Sequence, residues 1–463
     1  MKHSARSLVL ALLAALMPRI AAAQAADSAA LDSLIARHVQ EHGLIGLSVG
    51  VMVGGRVVLA KGYGVRDLAS RAPVTPQTTF AIGSVSKQFT CSAALLLAQE
   101  GRLSMDQRVA RWYPDLTRAG DVTLGQLGAH TSGYRDYYPL DFVDRRMAVS
   151  RAPDEIIHDY GTMPLDFEPD SRYSYSNTGF LILGRVVERV SGEPMGRIFE
   201  RRFFGPLGMR QTRLDPPHGQ PDQATGYTSY LLADPEVATP EGAGWLGAAG
   251  GIWSTPTDLM TWDLALMDGR VLDARSFQAM STPRALSGGR TSTYGCGQSI
   301  RDRGAALVLS HGGAVSGFVS RNMLVPATRA AVVLLSNADF AAIDDLGEAI
   351  LARLMPAGAI PVVQGLPARE AALVLYQQLR AGSVERSMLS EEYSALLSPE
   401  RLRVTAQALA RYGDAREVRV TGRYERGALE VAELTFIFAN GSADGLMYRT
   451  PDGRIEEFLL FRP

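Results

Sequence analysis

The sequence predicts an α+β protein in two parts, and three observations predict it. Strand patterns stand at both ends of a long helical stretch. A segment rich in Pro and Gly, Pro356-Ala357-Gly358-Ala359-Ile360-Pro361, interrupts the chain, and beyond it helices give way to an antiparallel meander. The first helix pattern covers Ala29–His42. Ile45–Val53 and Arg56–Tyr63 alternate as two strands joined at Gly54-Gly55, a hairpin signal. From Ser84 to about residue 280 helical patterns dominate, broken by Gly and Pro loops. Ser84–Gln99 is long, apolar and closed by Gly101; a second helix spans Thr178–Val190; a third begins at Thr255-Pro256-Thr257-Asp258, a capping box with proline in its first turn. Strand patterns return at Tyr294–Gln298, Ala305–Ser310, Asn322–Val325 and Ala331–Ser336, and Ala341–Leu354 closes this part as a helix. After a linker over 356–368, Arg369–Arg380 and Pro399–Arg411 read as helices. Four strands follow, Glu417–Tyr424, Ala428–Phe438, Asp444–Arg449 and Arg454–Phe461, with turns at Arg426-Gly427, Asn440-Gly441 and Asp452-Gly453. This last part, 369–463, is expected to be a small α+β roll. It holds no Cys, no His and no catalytic group, so an accessory role as lid, substrate selector or dimerising element is expected.

Composition bounds the function. With 463 residues, 46% of them hydrophobic and 21% charged, the chain can bury two or three cores, and a net charge of -1 without basic runs argues against nucleic acid and anionic membrane surfaces. Lys2 and Arg6 precede an apolar stretch, Leu8–Met17, and Ala23-Gln24-Ala25 offers a small-x-small cleavage site after Ala25. The expectation is a cleaved signal peptide, 1–25, and a periplasmic or secreted protein without a membrane anchor. Cys91 and Cys296 are too few for a disulfide scaffold, and sequence cannot place their Cα atoms. Both are read as free buried thiols.

Three short pieces carry chemistry. In Ser84-Val85-Ser86-Lys87, residues three apart share one helix face, so the Lys87 amine can reach the Ser84 hydroxyl and act as its base if burial holds it partly neutral. Backbone N–H groups at this helix start, including that of Ser84, could form half of an oxyanion hole. A lone Ser-x-x-Lys is more often a serine-capped helix with a solvated lysine. In Tyr175-Ser176-Asn177, residues two apart project to one side of an extended backbone. A phenol there can shuttle a proton, and an Asn amide can orient a substrate amide. Further on, His311-Gly312-Gly313 follows a strand pattern, and its glycines let backbone approach a ligand, so Gly313 and the Ala314 N–H are candidates for substrate binding and the second half of the oxyanion hole.

Jointly, these pieces resemble the penicillin-recognising serine hydrolases: class C beta-lactamases, D-alanyl-D-alanine carboxypeptidases, D-aminopeptidases and beta-lactamase-like esterases. Gly62-Tyr63-Gly64, His130-Thr131-Ser132-Gly133, Phe204-Gly205-Pro206-Leu207-Gly208-Met209 and Gly250-Gly251-Ile252-Trp253-Ser254-Thr255 fit as well. The resemblance runs from about Ala29 to about Leu354. It implies a beta-lactamase/transpeptidase-like fold, an antiparallel sheet built from both ends of the domain with flanking helices and an inserted helical subdomain at about 84–280, the site lying between the two. It also implies Ser84 as nucleophile, Lys87 as base, Tyr175 as proton shuttle, Asn177 as ligand of the substrate amide and His311 as first residue of the third motif. Many beta-lactamases of this class have lysine at that last position; histidine would carry the charge only part of the time near neutral pH.

His38-Val39-Gln40-Glu41-His42 has the spacing of a zinc pair, but on the first helix, which the resemblance places outside the catalytic part, a chance pattern is the better reading. No metal and no cofactor is expected. The function read from the chain is a serine hydrolase cleaving a peptide, beta-lactam or small ester through an acyl-enzyme. The alternatives are a penicillin-binding sensor that deacylates slowly and a scaffold with a decayed site.

Overall fold

The computed structural model describes residues 28–138, 146–229, 233–303, 306–355, 361–426 and 429–461. The expected signal peptide, most of the 356–361 segment and the turn at Gly427 with the start of the strand predicted from Ala428 lie outside the described residues. Two compact units are present: the described residues up to Arg301 together with Val308–Leu354, and Asp302–Leu307 together with the described residues from Met355 onward.

The first unit is built on a six-stranded sheet whose order in space is Arg56–Gly64, Gly46–Val53, Ala330–Ser336, Phe318–Val325, Leu307–Val315 and Ser299–Asp302. The strand last in sequence therefore lies beside the first, in antiparallel register with Leu47 opposite Ser336 and Met52 opposite Ala331. Successive side chains of a strand face opposite ways. Helix Pro256–Met267 covers one face, where Gly50 makes room: a Cβ there would stand 2.8 Å from the Met260 methyl and 2.9 Å from Pro256. Helix Asp344–Leu354 covers the other, with Gly347 seated against Met323 and Leu334. Ala330–Ser336 (Ala-Ala-Val-Val-Leu-Leu-Ser) is buried along its whole length because both of its faces are covered.

The helical part of this unit surrounds Lys87–Gln99, which a 3₁₀ turn, Gly83–Ser86, precedes. Helix Asn177–Ser191 packs against it. Thr255 caps Pro256–Met267 by accepting from the Asp258 N–H at 3.2 Å, but the reciprocal half of the expected capping box is not made, since Asp258 Oδ2 accepts instead from the Gln211 N–H at 2.9 Å and the Thr212 hydroxyl at 2.8 Å. Two more expectations fail here. Tyr294–Gln298 is not a strand: Gly297, at φ +71°, turns the chain, the Gly295 N–H bonds to the Gln298 carbonyl at 2.9 Å, and pairing begins only at Ser299. That turn lays Cys296 on the serine-bearing helix, and Cys91 and Cys296 are not free thiols but a disulfide, their Cα atoms 5.6 Å apart. Gly128 supplies the space, since a Cβ on it would lie 2.7 Å from the Cys296 sulfur. A separation of 205 residues hid the pairing from sequence.

The second unit carries a four-stranded antiparallel sheet, Glu417–Arg426, Leu429–Phe438, Gly441–Arg449 and Ile455–Leu460 in sequential order. Helix Ala368–Arg380 contributes Ala372, Leu375, Tyr376 and Leu379 to its core. Inside it Glu430 and Arg449, opposite one another in register, form a buried ion pair with Nε to Oε2 at 2.7 Å.

Behind the first sheet Asp263 is fully buried; its Oδ1 accepts from the Asn322 amide at 2.9 Å and its Oδ2 has no partner. Burial pushes its carboxyl up to about 8. Between the unfolded value of about 4 and that folded value, the native state holds a proton the unfolded chain has lost, so stability falls as pH rises. Asp263→Asn, which keeps the acceptor for Asn322, should remove this slope and stabilise more at about pH 8 than at about pH 5. Thermal melts of both proteins across that range check it; parallel curves would sink the assignment.

Candidate active site

Ser84 sits in a turn held from three sides. The Ile82 N–H bonds to the Ile252 carbonyl at 2.9 Å, Ser320 Oγ donates to the Ile82 carbonyl at 2.8 Å, and the Ile252 N–H donates to Ser86 Oγ at 3.1 Å. Gly83, at φ +50°, passes so close to the strand Leu307–Val315 that a Cβ would lie 2.9 Å from the Ala314 nitrogen. Only glycine fits there without strain, and the contact draws the backbone entering Ser84 up to Ala314. In a 3₁₀ turn residues three apart eclipse, which aligns Lys87 with Ser84.

The Lys87 Nζ is fully buried and has three partners: Ser84 Oγ at 3.0 Å, Asn177 Oδ1 at 2.7 Å and the Ala249 carbonyl at 2.7 Å. An ammonium can donate to all three. A neutral amine has two N–H donors and one lone pair, and of these partners only the serine hydroxyl can donate. Deprotonation therefore aims the lone pair at Ser84. Burial lowers the lysine to about 7, against the charge of Asp136, which raises it.

Tyr175 and Asn177 face the same cavity because Ser176 between them is extended, at φ -147° and ψ 112°. The Ser176 N–H donates to His130 Nδ1 at 3.0 Å, and its hydroxyl caps the following helix by accepting from the Gly179 N–H at 3.2 Å. The Tyr175 ring lies over His130 with centroids 4.1 Å apart and 4.8 Å from the Lys87 nitrogen. Its hydroxyl is buried with no hydrogen-bond partner, and burial pushes the phenol up.

His311 lies within the strand Leu307–Val315, which continues past the Ala305–Ser310 pattern rather than ending before it. Its Nδ1 is 2.5 Å from the Gly312 carbonyl, which can only accept, so Nδ1 carries the proton and Nε2 accepts from the Tyr294 hydroxyl at 2.7 Å. Burial, and after it the Lys87 charge, lowers its pKa to about 3. The part-time charge expected of it near neutrality is absent. Gly313 packs inward, a Cβ there meeting the Ile82 carbonyl at 2.0 Å.

Ser84, Tyr175, Asn177, His311, Gly313 and Ala314 line a cavity of about 560 Å³. A larger one, of about 640 Å³, walled by Trp253, Phe318 and Asp215 among others, shares only Val315 with it and is lined by none of Ser84, Lys87, Tyr175, Asn177 and His311. Among the described residues no group of His, Cys, Asp and Glu could hold a metal, and His38 Nε2 is engaged with the Ala342 carbonyl at 2.7 Å.

Residues 31–354 match the beta-lactamase family. The chain belongs to that family. A D-aminopeptidase of Cereibacter sphaeroides is 31% identical over 329 residues, which is 67% of this chain and 61% of that protein. The chain thus spans about three fifths of the length of this relative. The structure of a D-amino acid amidase from Ochrobactrum anthropi SV3, complexed with L-phenylalanine, matches with a TM-score of 0.62 at 26% identity, covering 70% of this chain and 98% of that one. An octameric penicillin-binding protein homologue from Pyrococcus abyssi shares the fold at a TM-score of 0.61 and 21% identity, over 94% of this chain and 98% of that one.

Sequence reasoning missed three residues of this beta-lactamase-family site. Asp136 stands behind Asn177, its Oδ1 accepting from the Asn177 and Tyr138 N–H groups at 2.9 and 3.2 Å and its Oδ2 from the Asn177 side-chain amide at 3.2 Å. Tyr294 holds His311, and Arg321, opposite Gly312 in register, lines the cavity. None belongs to a local motif. Because Asp136 raises Lys87, Asp136→Asn should move the acid limb of Ser84 acylation, expected near pH 7, to lower pH. The pH dependence of acylation by a p-nitrophenyl ester checks this; an unmoved limb would remove Asp136 from the site's electrostatics.

Proposed function

We propose that the chain is an exported amidohydrolase that cleaves the amide of a D-amino acid or short D-peptide through an acyl-enzyme on Ser84. The observation that carries this reading is the set of partners around Lys87, two of which can only accept. The neutral amine takes the Ser84 proton as Oγ bonds to the substrate carbonyl carbon. The resulting oxyanion is received by the N–H groups of Ser84 and Ala314. When the C–N bond breaks, Tyr175, kept protonated by its burial, gives its proton to the leaving nitrogen and regains one from the Lys87 ammonium. Water then attacks the acyl ester with the same groups in reverse order. Asn177, bound by Lys87 and Asp136, holds the amine in line and retains one amide hydrogen for substrate. The names of the relatives support amide and D-amino acid chemistry over ester or beta-lactam cleavage. The N-terminal Lys2–Ala25 pattern and the Cys91–Cys296 bridge support export, since disulfides persist in oxidising compartments.

Ser84→Ala and Lys87→Ala should each lower kcat for a D-amino acid p-nitroanilide by about a thousandfold or more, with the fold intact by circular dichroism, because nucleophile and base act as a unit. Intact-mass spectrometry of the ordinary protein should show a transient acyl adduct that Ser84→Ala lacks. A well-folded Ser84→Ala variant retaining more than a few per cent of the activity would overturn the mechanism, and a permanent adduct without released product would mark a sensor.

A further inference from the structure

The larger cavity, of about 640 Å³, takes no part in the chemistry of Ser84, and its walls are of one kind. Trp253 and Phe318 form an edge-to-face pair with ring centroids 5.1 Å apart, and the His218 ring meets Trp253 edge-on at 5.8 Å. Two carboxylates, Asp215 and Glu241, line it as well. Among the described residues that line it, none is a lysine or an arginine. The cavity is therefore aromatic and negatively charged.

Asp215 is built into this wall. The chain pairs Arg213 with Trp253 and Leu214 with Ile252, and Asp215 then leaves the strand at φ +44°, its N–H bonded to the Gly251 carbonyl at 2.8 Å. Gly251 admits the carboxylate, since a Cβ there would stand 2.0 Å from Oδ1. Glu241 is engaged, accepting from the Ser316 N–H at 3.0 Å and the Tyr138 hydroxyl at 2.8 Å. The Asp215 carboxylate has no hydrogen-bond or ion-pair partner among the described residues. The protein around it raises its carboxyl to about 6 by desolvation, with no cation opposing the rise, and at neutral pH it is ionised. A partly desolvated carboxylate beside aromatic rings is completed by a cation, which gains from the acid and from the ring faces together.

The cavity adjoins the catalytic one on its acyl side. Gly250 lies against Gly83, a Cβ on it meeting the Gly83 carbonyl carbon at 3.6 Å, and Gly83 precedes Ser84; Gly251, next in the chain, carries the contact on to Asp215. At the opposite wall the two cavities share Val315, which follows the Ala314 whose N–H receives the oxyanion. Tyr175, which meets the leaving nitrogen, and His311 beside it line the catalytic cavity alone. An acyl residue's own α-ammonium is two bonds from its carbonyl carbon and stays beside Ser84. Only the end of a side chain extends past the Gly250-Gly251 backbone to Asp215. We infer that the larger cavity receives the side chain of the acyl residue and that Asp215 binds a cation at its end, so that the enzyme prefers a basic D-residue there over an apolar one of similar length. This inference rests on the proposed amidohydrolase activity.

The test is a matched pair, D-lysine p-nitroanilide and D-norleucine p-nitroanilide, which share a four-carbon side chain and differ in the terminal ammonium. In the ordinary protein kcat/KM should favour D-lysine by about tenfold or more, the size of a charge-assisted bond made to substrate. Asp215→Asn keeps the side chain's shape and suits the left-handed backbone at this position, and it should remove most of that preference with the fold intact by circular dichroism. Equal kcat/KM for the two compounds in the ordinary protein overturns the inference whether or not the variant folds, and so does a preference that Asp215→Asn leaves unchanged. Hydrolysis of neither compound by the ordinary protein overturns the proposed activity itself.

Discussion

The site depends on one buried amine. Placing Lys87 beyond the reach of water disfavours its charged form and brings its pKa into the range where base and acid forms coexist. That requires a neighbourhood able to satisfy the nitrogen in either form. The Ala249 carbonyl comes from the short helix Gly247–Gly250 before Ile252–Ser254, the Asn177 oxygen from the start of a second long helix, and the hydroxyl from the turn below. Each of these has its own support: Ser86 and Ser320 for the turn, Ser176 and His130 for the helix start, Asp136 for the Asn177 amide. Much of the polar hydrogen bonding in the centre of the first unit thus serves to keep one nitrogen dry and aimed.

Much of this was legible in the sequence where geometry is local. Ser84 and Lys87 meet because residues three apart align in a tight helical turn, and Tyr175 and Asn177 share a side because one extended residue separates them. Strand and helix patterns fared well for the same reason, as Gly46–Val53, Ala330–Ser336 and Ala368–Arg380 show, with ends moved by a residue or two. What stayed hidden depends on contacts between distant segments. Asp136, Tyr294 and Arg321 carry no local signature; each acquires its place from a neighbour far off in the chain or across a sheet pair. Tyr294–Gln298 has the composition of a strand, but the αL conformation at Gly297 and the fit against Gly128 decided otherwise. His311 was identified as a site residue, yet its neutrality comes wholly from burial, which a sequence does not display.

The second unit shows the same division. Its turns at Asn440-Gly441 and Asp452-Gly453 announce the meander, and its four strands were legible to within about three residues at either end. The buried pair of Glu430 and Arg449 was not, since charged residues in a strand ordinarily face water. Their placement directly opposite each other offsets part of the cost of burying two charges and fixes the register of the two strands that carry them.

The interleaving of the first sheet has a consequence for how the chain is made. Gly46–Val53 lies between the hairpin partner that follows it and Ala330–Ser336, with Leu47 meeting Ser336 about 290 residues later. At about 5–20 residues per second, a ribosome leaves that edge bare for tens of seconds, long after its own hairpin has closed. The exposed segment, Gly-Leu-Ser-Val-Gly-Val-Met-Val, is apolar with unpaired backbone groups, the kind of edge that invites pairing with another chain. The unfinished protein therefore presents a strand edge that the finished one covers.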